Sequence, residues 1–168
     1  MPFALWVSRE ITRRSKRQIA ICWEWNGSGD PRLAIEAARL SLETGGCVKF
    51  DLKAYDPTLH LALTGQENTR TLQNFRLIGE KLFRDSNPPV LTATTLLVPG
   101  YVDAREVENI ACFISRIDPE IPYSLLAFHP DFKMMDLPTT PRDQAEECFK
   151  VAKRYLRRVN IGNIHLLM

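Results

Sequence analysis

Val90-Leu91-Thr92-Ala93-Thr94-Thr95-Leu96-Leu97-Val98-Pro99-Gly100-Tyr101-Val102-Asp103 is the stretch on which the reading of this chain turns. Val90–Val98 is a β-branched and aliphatic run of strand length, and Val98-Pro99-Gly100 reads as a tight turn. Asp103 with Glu106 then opens a helix in the manner of a capping box, and Val107, Ile110, Ala111, Ile114 and Ile117 recur at helical spacing. Strand, turn and helix in that order make most of a βαβ unit.

The same unit repeats on both sides. Toward the N-terminus lie candidate strands Gln18–Trp23 and Cys47–Leu52, separated by a helix that Asp30 and Pro31 start and Gly45 and Gly46 end. Asn68 is positioned to cap a further helix, with Leu72, Phe75, Ile78 and Leu82 as its apolar stripe. Toward the C-terminus, strand Pro122–Phe128 precedes a helix introduced by Thr140, Pro141 and Asp143, with Ala145, Cys148, Phe149, Ala152 and Leu156 facing inward. Ile164–Leu167 is a weak last strand, and Phe3–Lys16 is helical or irregular. The expected organisation is an N-terminal segment, residues 1–17, followed by one α/β domain, residues 18–168. That domain has about five parallel strands with flanking helices, either an open doubly wound sheet or an arc of a barrel. Continuous hydrophobicity predicts strands covered on both faces.

Composition narrows the function classes. A length of 168 residues with 45% hydrophobic and 25% charged content is that of an ordinary globular domain. The longest apolar run is broken by Thr92, Thr94 and Thr95 and ends at Pro99, so no membrane span is expected. The basic residues Arg13, Arg14, Lys16 and Arg17 follow the first apolar stretch, which reverses the order of a secretory signal. A net charge of +2 and basic clusters without interleaved aromatics argue against nucleic acid. Cys22, Cys47, Cys112 and Cys148 are widely spaced in apolar stretches and read as buried free thiols of a reducing, cytoplasmic compartment.

Both sheet architectures place chemistry where strands end. Trp23-Glu24-Trp25-Asn26-Gly27-Ser28-Gly29-Asp30 is a polar turn whose free N–H groups could hold an anion, although Arg32 breaks the dinucleotide fingerprint. Alternation puts Asp51 and Lys53 on one face. They are either ligand-binding groups, a Schiff-base lysine with its neighbour, or a structural ion pair. Gly100 in Val98-Pro99-Gly100 would let backbone approach a ligand, and Phe128-His129-Pro130-Asp131 brings an imidazole to a strand end. Trp23, Trp25 and Phe132 are candidates for a pocket lining, while His60 and His165 have no partners at metal-ligand spacing. No catalytic residue and no metal ligand is assigned.

Taken in order, Cys22-Trp23-Glu24-Trp25-Asn26-Gly27, Asp51-Leu52-Lys53, Leu63-Thr64-Gly65, Val98-Pro99-Gly100 and His129-Pro130-Asp131-Phe132-Lys133-Met134 resemble a known family. They are similar to the C-terminal part of radical S-adenosylmethionine (SAM) enzymes related to pyruvate formate-lyase activating enzyme. The stretch around His129, followed by Leu137-Pro138, is especially similar to the AmmeMemoRadiSam subgroup. The resemblance implies a partial β/α barrel with SAM across the strand ends. It implies SAM contacts for Glu24, Asn26, Gly27, Asp51, Lys53, Val98, Pro99, Gly100 and His129, although Trp25 replaces the family's threonine.

The same resemblance implies a 4Fe-4S cluster, yet the family's C-x3-C-x2-C and G-G-E motifs are absent from these 168 residues. The expectation is therefore an activase-like oxidoreductase fragment, inactive alone, that needs a cluster-bearing N-terminal half or a homo-oligomeric partner. A sheet edge and an apolar interior would need cover, from residues 1–16 or from another chain. The substrate, protein or small molecule, is unspecified. The alternatives are a non-catalytic remnant or partner-binding module, and a Schiff-base lyase using Lys53.

Overall fold

The computed structural model describes residues 1–84 and 86–168. Its strands are β1 (Trp23–Trp25), β2 (Val48–Asp51), β3 (Leu91–Leu97), β4 (Tyr123–Ala127) and β5 (Val159–Gly162). Its α-helices are α1 (Pro2–Arg14), α2 (Pro31–Thr44), α3 (Pro57–Thr64), α4 (Thr69–Ile78), α5 (Ala104–Ser115) and α6 (Arg142–Ala152). The five strands form one parallel sheet in the order β1-β2-β3-β4-β5. A doubly wound sheet reverses its order at a switch point. This sheet does not, so it is the singly wound arc of a β/α barrel.

That order also corrects the expectation of strands buried on both faces. Crossovers of one hand that always step in the same direction fall on the same side of the sheet. Accordingly buried and half-buried residues alternate in β2 and β4, and Lys49, Asp51 and Ser124 occupy half-buried positions. In β2 and β4 the face opposite the core therefore carries Lys49, Asp51 and Ser124 beside Leu126, not a bare apolar surface, whereas β3 keeps Thr94 buried there.

Two compact units are described separately. The first comprises Met1–Phe50 and Thr69–Thr92. Here α1 is a regular helix whose Leu5 is buried with Ala37 and Leu40 of α2, against Trp23 and Trp25 of β1. Asp30 caps α2 by accepting from the N–H groups of Arg32 and Leu33, and Gly45 ends it in the left-handed conformation. β1 starts later than the apolar run suggests. The N–H of Ile21 is taken by the Thr44 hydroxyl at 3.0 Å and its C=O by the Ser41 hydroxyl at 2.7 Å, so residues before Trp23 do not join the ladder. Gly46 permits that approach, since a Cβ there would lie 2.0 Å from the Ile21 carbonyl oxygen. α4 continues into a π-helical turn, Gly79–Phe83, which shifts the helical phase so that Phe83 is buried and Leu82 only half-buried.

The second unit comprises Asp51–Asn68 and Ala93–Met168. Asp103 caps α5 as expected, but the box is not closed. Glu106 instead turns its carboxylate to the N–H groups of Tyr55 and Asp56. Asn68 likewise uses its amide on the carbonyls of Ala54 and Tyr55, at 3.1 and 2.8 Å. Thr140 does not cap α6, because its hydroxyl donates to the Leu97 carbonyl and accepts from the Phe128 N–H, both at 2.7 Å. The last strand is Val159–Gly162, while Ile164–Leu166 forms a 3-10 turn. No helix among the described residues is long and apolar enough to cross a membrane.

Candidate functional site

In the first unit the turn after β1 is held by α4. Gly27 has φ 72°, and its C=O and that of Gly29 both accept from the Asn74 amide at 2.8 Å. The Asn26 C=O accepts from the Thr71 hydroxyl at 2.8 Å. The Asn26 side chain turns back on its own loop, accepting from the Ser28 N–H and hydroxyl at 3.1 and 3.0 Å. Gly27 is required twice over, because any Cβ would meet the Phe50 ring at 2.1 Å as well as strain the backbone. With Ser28, Arg32 and Leu33 donating to side chains of the same loop, three of the N–H groups expected to serve an anion are already engaged.

Glu24 lies within β1, not in the turn after it, and pairs across the strands with Lys49 at 2.9 Å. Its side chain is 72% exposed, so the pair adds little stability and leaves the carboxylate accessible. Trp23 and Trp25 pack rather than line a pocket. The Trp23 indole donates to the Ala37 carbonyl at 3.1 Å, and Trp25 meets the Phe50 ring edge-on with centroids 5.5 Å apart.

In the second unit the end of β2 carries the densest polar arrangement. The Asp51 carboxylate accepts from the Lys53 ammonium at 3.0 Å on one oxygen and from the Thr94 hydroxyl at 2.5 Å on the other. Both members of the ion pair are about one third exposed. Thr94 was not visible as a site residue in the sequence, since its partner is 43 positions away. The segment after Lys53 is anchored from two sides by Glu106 and Asn68, as described above.

Val98 and Pro99 are buried, and Gly100 is exposed with φ 77° and no atom within 4 Å of where a Cβ would stand. Glycine is there for the backbone angle, and its peptide is left uncovered. His129 forms a surface contact, Nδ1 to the Asp131 carboxylate at 3.3 Å. Phe132 borders a cavity of about 500 Å³ shared with Leu63, Tyr101, Met134 and Leu137. The cysteine expectation is corrected, because only Cys148 is buried, Cys47 and Cys112 are intermediate and Cys22 is exposed. Among the described residues no group of three His, Cys, Asp or Glu side chains could hold a metal ion, so an iron–sulfur cluster does not fit these residues.

No family model matches the chain. A protein of Methanocaldococcus jannaschii classed as a glycyl-radical enzyme activating enzyme is 30% identical over 113 residues, 67% of this chain and 43% of that protein. The isethionate sulfite-lyase activating enzyme of Desulfovibrio desulfuricans is 36% identical over 83 residues, 49% of this chain and 25% of its own length. The chain thus spans less than half the length of these curated relatives. A solved structure, a domain of pyruvate-formate lyase-activating enzyme from Bacteroides vulgatus, superposes with a TM-score of 0.76 at 18% identity, covering 96% of this chain and 91% of that one. The fold is therefore shared with that domain, and over the part of their length that it spans the chain is similar in sequence to glycyl-radical-enzyme activating enzymes.

Proposed function

We propose that this chain is the SAM-facing part of an activating enzyme for a glycyl-radical enzyme, dependent on a cluster held by residues outside these 168. The observation that supports this most is the Asp51, Lys53 and Thr94 arrangement at the end of β2. SAM presents an ammonium, a carboxylate and a sulfonium cation. Asp51 is suited to the positive groups and Lys53 to the carboxylate, and their partial exposure lets each exchange its internal partner for the ligand. Val98–Gly100, in the same unit, supply backbone of fixed shape, and for Glu24, Asn26 and Gly27 the support is the family resemblance. His129 is the loosest member of the set, held by an exposed contact with Asp131. Bound SAM contributes the adenosyl group for radical chemistry, which needs an electron from the cluster.

A Schiff-base role for Lys53 has less support. Such a lysine relies on desolvation or a neighbouring cation, whereas Lys53 is 36% exposed and rests on a carboxylate.

Calorimetric titration of the chain with SAM tests the reading. Asp51→Asn and Lys53→Met are each expected to weaken binding about tenfold or more. The absence of SAM binding, or unchanged affinity in both variants, defeats it. Anaerobic reconstitution of the chain alone should yield no cluster absorbance, and a cluster that turns over SAM would refute the dependence on outside residues.

A further inference from the structure

We propose that Cys22 and Cys47 close into a reversible disulfide on the open face of the β1–β2 pair when the chain meets a low-molecular-weight disulfide such as oxidised glutathione. The site is independent of the SAM reading and rests on geometry in the first unit.

Trp23 pairs in register with Val48, and the Trp23 N–H donates to the Cys47 carbonyl at 2.9 Å, so the two cysteines stand side by side one step earlier. Neighbouring strands are about 4.8 Å apart, inside the Cα separation of about 4.4–6.8 Å that a disulfide spans. In a parallel pair, laterally adjacent residues direct their side chains to the same face. Here that face is the one opposite Val48 and Phe50, which are fully buried. Cys22 is exposed and Cys47 is half-buried, and the Cys22 thiol is near enough to raise the Cys47 thiol.

The two thiols are not equivalent. Burial above all, and then the contact with Cys22, hold the Cys47 thiol above its ordinary range, with Glu24 adding to the effect and Lys49 opposing it. The exposed Cys22 is therefore the more accessible thiol and the first nucleophile. Its thiolate attacks one sulfur of glutathione disulfide, the S–S bond breaks, and one glutathione thiolate leaves. Cys47 then releases its proton to solvent and attacks the Cys22 sulfur, expelling the second glutathione thiolate. Two protein thiols are oxidised, one glutathione disulfide is reduced, and the two released protons end on two glutathione molecules. The remaining cysteines are poor competitors. Burial pushes the Cys148 thiol up to about 12, and Cys112 is partly covered on α5.

The product would staple the three-residue strand β1 to β2 beside the Glu24–Lys49 pair. The test is to equilibrate the intact, undenatured chain with oxidised and reduced glutathione and follow it by intact-mass and peptide-mapping spectrometry. The expected result is a mass lower by two hydrogens, one linked peptide pair containing Cys22 and Cys47, and full reversal by dithiothreitol. Cys22→Ser should abolish the linkage, and Cys112→Ser should leave it unchanged. Persistent glutathione adducts without closure, linkage to another cysteine, cross-linked dimers, or no reaction would each overturn the proposal.

Discussion

Two turns that follow strands in this protein are built in opposite ways. The turn after β1 has the carbonyls of Asn26, Gly27 and Gly29 bonded to side chains of α4, and Gly27 sits against the Phe50 ring. The stretch after β4 starts with His129, which pairs with Asp131 two residues on, and continues to Phe132, 87% exposed with φ 54°. An aromatic residue in the left-handed region is strained backbone. The first turn is held by its surroundings and the second is displayed to solvent. Position at a strand end does not by itself make a residue part of a rigid site.

The largest expected effect is at Gly27. Gly27→Ala combines positive φ with a clash against a buried ring, and should cost about 3 kcal/mol in urea unfolding. A loss below the error of the measurement would show that the turn is not held as described. Asn74→Ala comes next, because it strips the buried Gly27 carbonyl and the part-buried Gly29 carbonyl of their donor, at about 2 kcal/mol. The Asn74 side-chain oxygen has no partner of its own, which keeps the cost from rising further. Smallest are Phe132→Gly and His129→Ala, each within about 1 kcal/mol of the parent, since one relieves strain and the other breaks an exposed pair. Brief chymotrypsin treatment sharpens the contrast: cleavage should occur after Phe132 well before Trp25, and the reverse order would abolish the distinction.

What the sequence made legible was local. Asp30, Gly45 and Asp103 act within four residues of themselves, and each caps the helix end it was expected to cap. The strand–helix alternation likewise identified the α/β class but left a doubly wound sheet and a barrel arc both open, and the arc came from the family resemblance. The misses have long-range causes. Ser41 and Thr44 displaced the start of β1, and β5 was missed because Val159-Asn160-Ile161-Gly162 is a short, mixed edge strand read only through its pairing with β4. Thr94, Thr71, Asn74 and Glu106 entered the site region through partners more than forty positions away. Nothing in their local spacing marks them, since a threonine on a strand or an asparagine in a helix has many innocuous readings.

Thr140 has a wider meaning for how this architecture diversifies. Its hydroxyl ties the Leu97 carbonyl to the Phe128 N–H, and its own N–H returns to the Phe128 carbonyl at 3.4 Å, so residues 129–139 leave and re-enter through one clamp. With both anchor points secured, lengthening the intervening segment costs little, roughly 0.6 kcal/mol per doubling by loop-closure entropy. Evolution or an engineer can therefore exchange that segment as a cassette, retuning what it recognises while the scaffold beneath is inherited intact.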